Sequence, residues 1–241
     1  MEGDQKLSHV LREYSGSGAL DGDLYYHLAL VKGRLEESSQ AIIYGRKALA
    51  IYKDEFNYKR ILYTLMSLAI NYTRGKVYNE AIQIYEHLLR NVELLGQTHL
   101  LPEIYHNMGA LYQKKGEYIN AIIYFEKSVL ITSKNSDHYL ISVFNLGFIQ
   151  YQMKMYEESR SNFLLLKKES KKVRIFYLLA VYYLHLLDDN GEKALNFLEV
   201  YLIPYLSKIK ELNETHRNFL IFLREYYLKE GNYEKAVKFI I

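Results

Sequence analysis

The chain has no cysteine, no tryptophan and only two prolines, Pro102 and Pro204, in 241 residues. Without cysteine no disulfide framework is possible, and a reducing interior is weakly favoured. So few prolines argue against an all-β protein and leave room for long helices. No apolar run approaches the ~18 residues that cross a bilayer. The most apolar stretch, RIFYLLAVYYLHLLDD from Arg174, is bounded by charges and reads as a buried helix. The N-terminal MEGDQKLSHVLREY lacks the apolar core and cleavage pattern of a secretory leader. An excess of one charge is missing too. Lys+Arg number 31 against 28 Asp+Glu, a net of +3, with no basic block or lysine-rich helix face. The expectation is a cytoplasmic chain that contacts neither membrane nor, by itself, nucleic acid.

Catalytic spacings are also missing. The eight histidines are scattered, with no H-E-x-x-H and no His/Cys cluster, so no metal site is expected. His99 and His106 lie seven apart, but Pro102 intervenes and no carboxylate completes a site. There is no G-x-S-x-G and no phosphate-binding glycine loop. Asp188 and Asp189, before Gly191, read as loop and cap residues. The sequence therefore predicts neither an enzyme nor a cofactor.

Tyrosine is abundant, 25 residues, a side chain suited to half-buried surfaces. A second feature is rhythm. PEIYHNMGALYQKKGEYINAIIYFEKSV, residues 102–129, holds two amphipathic helical patterns with Gly109, Ala121 and Ser128 where large residues would be expected. Small residues recur in step with it: Ala41, Ala81, Ala121, Ser159, Ala194 and Ala236, spaced by 40, 40, 38, 35 and 42 residues. A fixed phase of small residues predicts stacked helix pairs pressed close together, and apolar residues at three and four support helices throughout. Each pair has too little core to stand alone. Ser136 and Asn213 are expected N-caps, and Pro102 is expected in the first turn of a helix. Residues 1–21 fall outside the rhythm. SGSG at 15–18 reads as a flexible linker, and residues 5–14 fit a short helix packed on the first repeat. The apolar end, FII, leaves two readings: another chain covers it, or the native protein continues.

These residues resemble the tetratricopeptide repeat. The third copy matches best, with Met108, Gly109, Tyr112, Gly116, Tyr118, Ala121, Phe125 and Ser128. The second supplies Leu68, Ala69, Tyr72, Tyr78, Ala81 and Tyr85, and the fourth Leu146, Gly147, Tyr156, Ser159 and Phe163. The sixth supplies Leu223, Tyr227, Gly231, Tyr233 and Ala236. The first lacks a clear turn glycine, and the fifth carries about two extra residues near LDDNGEK. The resemblance implies an all-α, right-handed α-solenoid of about six helix-turn-helix repeats over residues 22–241, the last truncated.

In that family the first helix of each pair, helix A, lines a concave groove that holds peptides. The groove positions carried over are Tyr63, Met66, Ser67, Ile70, Thr73 and Arg74 in the second copy, and Glu103, His106, Asn107, Ala110, Gln113 and Lys114 in the third. In the fourth they are Ile141, Phe144, Asn145, Phe148, Tyr151 and Gln152. Asn107 and Asn145 share one phase, and each offers a donor and an acceptor to a peptide bond. The alternative is that asparagine is simply tolerated there. Phe144, Phe148 and Tyr151 form an aromatic wall beside Asn145, or pack against the fifth repeat. Lys114 and Arg74 are placed to meet a carboxylate, or are simply solvated.

The long spacing, with YYHLALVKG near the start and REYYLKEGNYEKAVKF at the end, is similar to the peptide-pheromone sensors of Gram-positive bacteria. These are the Rap, NprR and PlcR group, with the phage arbitrium receptors as cousins. That likeness implies a short signalling peptide as ligand and a homodimer. No DNA-reading helix-turn-helix and no complete effector bundle accompany it here, so DNA binding and phosphatase action are not carried over. Two other readings stay open: an adaptor recruiting a protein partner, and a self-assembly domain.

Overall fold

The computed structural model describes residues 18–134, 136–170 and 173–209, together with 219–220, 223–224, 227–228, 231–232 and 234–235. The expected helix over 5–14, Ser15 to Ser17 of the linker, and Asn213, Tyr233, Ala236 and the closing FII lie outside the described residues. Gly18, the last residue of SGSG, is the first residue of a helix.

All regular structure among the described residues is helical. The helices are α1 (Gly18–Arg34), α2 (Ser38–Asp54), α3 (Tyr58–Arg74), α4 (Tyr78–Leu94), α5 (Leu101–Lys115) and α6 (Tyr118–Ile131). They continue as α7 (Asp137–Gln152), α8 (Tyr156–Glu169), α9 (Arg174–Leu187), α10 (Gly191–Phe197) and α11 (Ile203–Leu206). A 3₁₀ turn, Thr98–Leu100, precedes α5, and a π-helical segment, Leu198–Leu202, joins α10 to α11.

The chain divides between Thr132 and Ser133 into two compact units. In the first, each helix packs on the next from α1 to α6, and alternate helices α1, α3 and α5 also touch. In the second, α7, α8, α9 and α10 pack in sequence, and α7 also touches α9. This next-neighbour and next-but-one pattern is that of stacked helix pairs.

Local chemistry starts and stops the helices. Asn57 caps α3 by accepting from the Arg60 N–H at 3.2 Å, Ser136 caps α7 through the Tyr139 N–H at 3.2 Å, and Asn190 caps α10 through the Lys193 N–H at 3.1 Å. Pro102 lies in the first turn of α5, where a missing N–H is harmless. Helices α1 to α5, α7 and α9 each close on one left-handed residue, Gly96 after α4 and Gly116 after α5. Glu36, Phe56, Lys76, Lys154 and Asp189 fill the same role with φ between 52° and 62°. The first copy thus turns on Glu36, which explains why no turn glycine marks it.

The small residues are contact points. A Cβ on Gly109 would meet the Phe125 ring at 2.7 Å, and one on Gly45 would meet Leu68 at 2.8 Å. In the second unit a Cβ on Gly147 would lie 3.3 Å from both Asn162 and Phe163. Ala41, Ala81, Ala121, Ser128 and Ser159 are wholly buried. The two serines also tie helix to helix. Ser128 donates to the Pro102 carbonyl at 3.0 Å, and Ser159 to the Gly147 carbonyl at 2.8 Å.

Candidate functional site

In the first unit the third-copy positions lie on α5, the helix opened by Pro102 and closed by left-handed Gly116. Glu103, His106, Asn107, Ala110 and Gln113 are half-buried and Lys114 is exposed. The His106 ring rests 5.5 Å from Phe125, the side chain that also fills the space over Gly109. The Asn107 Nδ2 is buried without a hydrogen-bond partner. Such a donor costs about 1–3 kcal/mol and calls for an explanation.

The second-copy positions lie on α3. Met66, Ser67 and Thr73 are buried, while Tyr63, Ile70 and Arg74 are half-buried. The Thr73 hydroxyl donates back to the Ala69 carbonyl at 2.8 Å, so it is occupied within its own helix. Arg74 donates to the Gly33 carbonyl at 3.0 Å, at the end of α1. The Tyr63 hydroxyl sits 3.5 Å from His99 Nε2. Burial pushes up the Tyr26 phenol, Arg60 opposes it, and the charge of Glu103 adds to the rise. Tyr85, fully enclosed, is raised by burial and then by Glu103, against Arg74. Glu103 is thus felt by phenols on both α1 and α4.

In the second unit Ile141, Phe144, Asn145, Phe148 and Tyr151 are half-buried on α7, and Gln152 is exposed. The aromatic residues belong to one cluster centred on buried Tyr183 of α9. Ring centres of Phe144, Phe148 and Tyr151 lie 6.0, 5.8 and 5.6 Å from it, and Phe163 stacks on it at 4.7 Å. Phe144 also meets Phe176 of α9 at 6.4 Å. These rings therefore pack on the fifth copy while keeping part of their surface open. Burial raises the Tyr151 phenol.

Pairs of helices nested on small residues, capped and turned in this way, match a tetratricopeptide-repeat profile over residues 100–164. Residues 100–164 of the chain carry tetratricopeptide repeats. In sequence it is similar to the transcriptional activator NprA of Geobacillus stearothermophilus, 32% identical over 248 residues, covering 98% of this chain and 60% of that protein. It is also similar to response regulator aspartate phosphatase A of Bacillus subtilis (strain 168), 24% identical, covering 89% and 57%. In fold it matches the apo form of the quorum sensor NprR from B. thuringiensis, with a TM-score of 0.73 at 22% identity, covering 90% and 63%. NprR in complex with its cognate peptide NprX matches with a TM-score of 0.66 at 23% identity, covering 90% and 64%. The chain thus spans about six-tenths of the length of these relatives.

The 40-residue register adds Tyr26 to the sequence-derived set, and a buried unpaired oxygen adds Asn71. Tyr26 stands 40 and 80 residues before Met66 and His106, at the same phase of helix A, and shares the electrostatic surroundings of Tyr63 and Glu103. The weak first copy hid it, although the 40-residue ruler reaches it. Asn71 is the other. Its Nδ2 donates to the Ser67 carbonyl at 2.9 Å, and its Oδ1 is buried without a partner. That oxygen stands 2.7 Å from where a Cβ of Gly33 would be. A polar residue inside an apolar stripe was its only signal. Among the described residues no group of three or more His, Cys, Asp or Glu side chains is placed to hold a metal ion. No described helix is long and apolar enough to cross a membrane.

Proposed function

We propose that this chain is a cytoplasmic peptide-binding module, the sensor part of a peptide-pheromone-responsive regulator, and that it works as a homodimer. The single observation that carries the reading is Asn107. Its amide N–H group is buried and unpaired at a helix A position flanked by half-buried His106 and Gln113. A peptide carbonyl supplies the missing acceptor once the side chain turns outward, and the amide oxygen accepts a peptide N–H. Asn145 offers the same pair of groups on α7. In the first unit Glu103, His106, Gln113, Lys114 and Arg74 then offer polar contacts to peptide side chains; in the second, taken by itself, Phe144, Phe148 and Tyr151 offer apolar ones. Arg74 keeps its bond to Gly33 and contributes charge more than a direct clamp. The likeness to a quorum sensor seen with its cognate peptide supports a peptide as the ligand.

The test is a thermal-shift screen of the full chain against a random library of peptides about seven residues long, the length that suits an extended groove ligand. A ligand that binds only the folded chain raises its melting temperature, by about 2.7 kcal/mol of stability at one hundred times Kd. Selective shifts by a few library members are expected. No shift from any member, with retained binding to a large protein, would favour the adaptor reading. The relative named as a phosphatase defines a second measurement. We read this chain as non-catalytic, so it should release no phosphate from a phosphorylated receiver domain.

A further inference from the structure

The same three positions of the 40-residue repeat carry one motif twice and break it once. In the first pair Tyr25 and Tyr44 stack at 6.1 Å, with the Lys47 ammonium 5.1 Å and 5.9 Å from their centres. In the third pair Tyr105 and Tyr124 lie 6.3 Å apart, with Lys127 at 5.7 Å and 5.1 Å. The equivalent residues between them, 40 further on and 40 back, are Leu65, Ile84 and His87. Two rings and their cation are replaced by two aliphatic chains and an imidazole. A pocket of about 230 Å³ opens at that point, lined by Lys53, Ile61, Leu65, Gln83, Ile84 and His87. It lies wholly within the first unit, and none of its residues is among the helix A positions assigned to peptide binding.

We propose that this pocket docks an aromatic side chain, a tyrosine next to a carboxylate, from a partner protein. Three observations fix the occupant. The flanking repeats show that this place in the fold accepts paired phenol rings, stacked in the first and tilted in the third, beside a cation. The floor of Ile61, Leu65 and Ile84 is apolar, while the exposed Lys53 and His87 at its edge, with no carboxylate in the lining, favour an acidic neighbour. The volume is below the ~300 Å³ at which cofactor and small-ligand pockets begin and suits one side chain. Gln83, exposed in the lining, offers an amide to the phenol hydroxyl.

The test uses the full chain, methyl-labelled, titrated with acetyl-Glu-Tyr-Glu-amide. Saturable ring-current shifts of the Ile61, Leu65 and Ile84 methyls are expected. Acetyl-Lys-Tyr-Lys-amide and acetyl-Glu-Leu-Glu-amide should each bind more weakly, the former about fivefold, the yield of one exposed charge pair. Leu65→Tyr/Ile84→Tyr/His87→Lys, which rebuilds the neighbouring motif, should abolish the shifts. Should that variant not fold, Lys53→Glu at an exposed site should still weaken binding about fivefold. Absence of saturable shifts, equal affinity for the leucine probe, or an unchanged Lys53→Glu titration would overturn the proposal. So would binding of free 4-hydroxyphenylacetate as tight as that of the tripeptide, which would mark a small-molecule site.

Discussion

Gly109 leaves room for Phe125, whose ring would lie 2.7 Å from an added methyl group. Gly109→Ala should therefore destabilise the chain by about 1–3 kcal/mol, the usual penalty of overpacking, read as a lower melting temperature. Phe125→Leu should give back part of that loss in the double mutant, because it removes the atoms that clash. At helix ends the sign reverses. Phe56 is 73% exposed and held at φ 54°. The left-handed conformation costs a side chain about 1–2 kcal/mol, and glycine returns about half of that in the unfolded chain, so Phe56→Gly should stabilise by up to about 1 kcal/mol. A chemical denaturation midpoint that falls instead would show that the exposed ring has a packing role.

At the scale of the element, caps and close contacts hold each helix pair. Ser136→Ala removes the acceptor for the Tyr139 N–H and should cost about 1 kcal/mol, measured by denaturant unfolding. This cap was legible in the sequence, as were Pro102 in its first turn and the buried small residues Ala41, Ala81 and Ala121. They were legible because each is a local rule with a residue type attached. The left-handed ends at Glu36, Phe56 and Lys76 were not, since no glycine flags them and only the pitch of the stack demands them. The helix A assignment placed Asn107 and Asn145 on matching faces, but it did not reveal that Asn107 carries an unpaired buried N–H group. Nor did it decide where Phe144, Phe148 and Tyr151 would turn. That depended on Tyr183 and Phe176, more than 25 residues away in sequence. Contacts of that range are set by packing, which periodicity does not encode. Tyr26 was missed because the first copy is degenerate, and Asn71 because a buried amide reads as a flaw in an apolar stripe.

For the whole molecule, the abundance of buried tyrosine sets its response to alkali. Tyr52, Tyr85 and Tyr183 all have phenols raised above 10, the last two by full burial. Tyr52 is also held by burial and then by its hydrogen bond to Asp23, which Arg60 bridges at 3.0 Å. A raised folded-state value means that the fold favours the neutral phenol. Its contribution is fully present below pH ~10 and is lost as pH climbs through the folded values. Melting temperature should fall steeply above that point, and part of the tyrosinate absorbance should appear only together with loss of helical circular dichroism. With no tryptophan in the chain the absorbance change is uncluttered. The same wild-type chain is the reference for ligand binding. The most direct measurement is calorimetric titration of the tightest-binding library peptide into wild-type protein and Asn107→Ala. Loss of a buried hydrogen-bond donor predicts about tenfold weaker binding, while the melting temperature of the free protein is unchanged or raised because the unpaired donor is gone. Equal affinity, or a loss of affinity matched by a loss of folding stability, would contradict the assignment of this residue to peptide recognition.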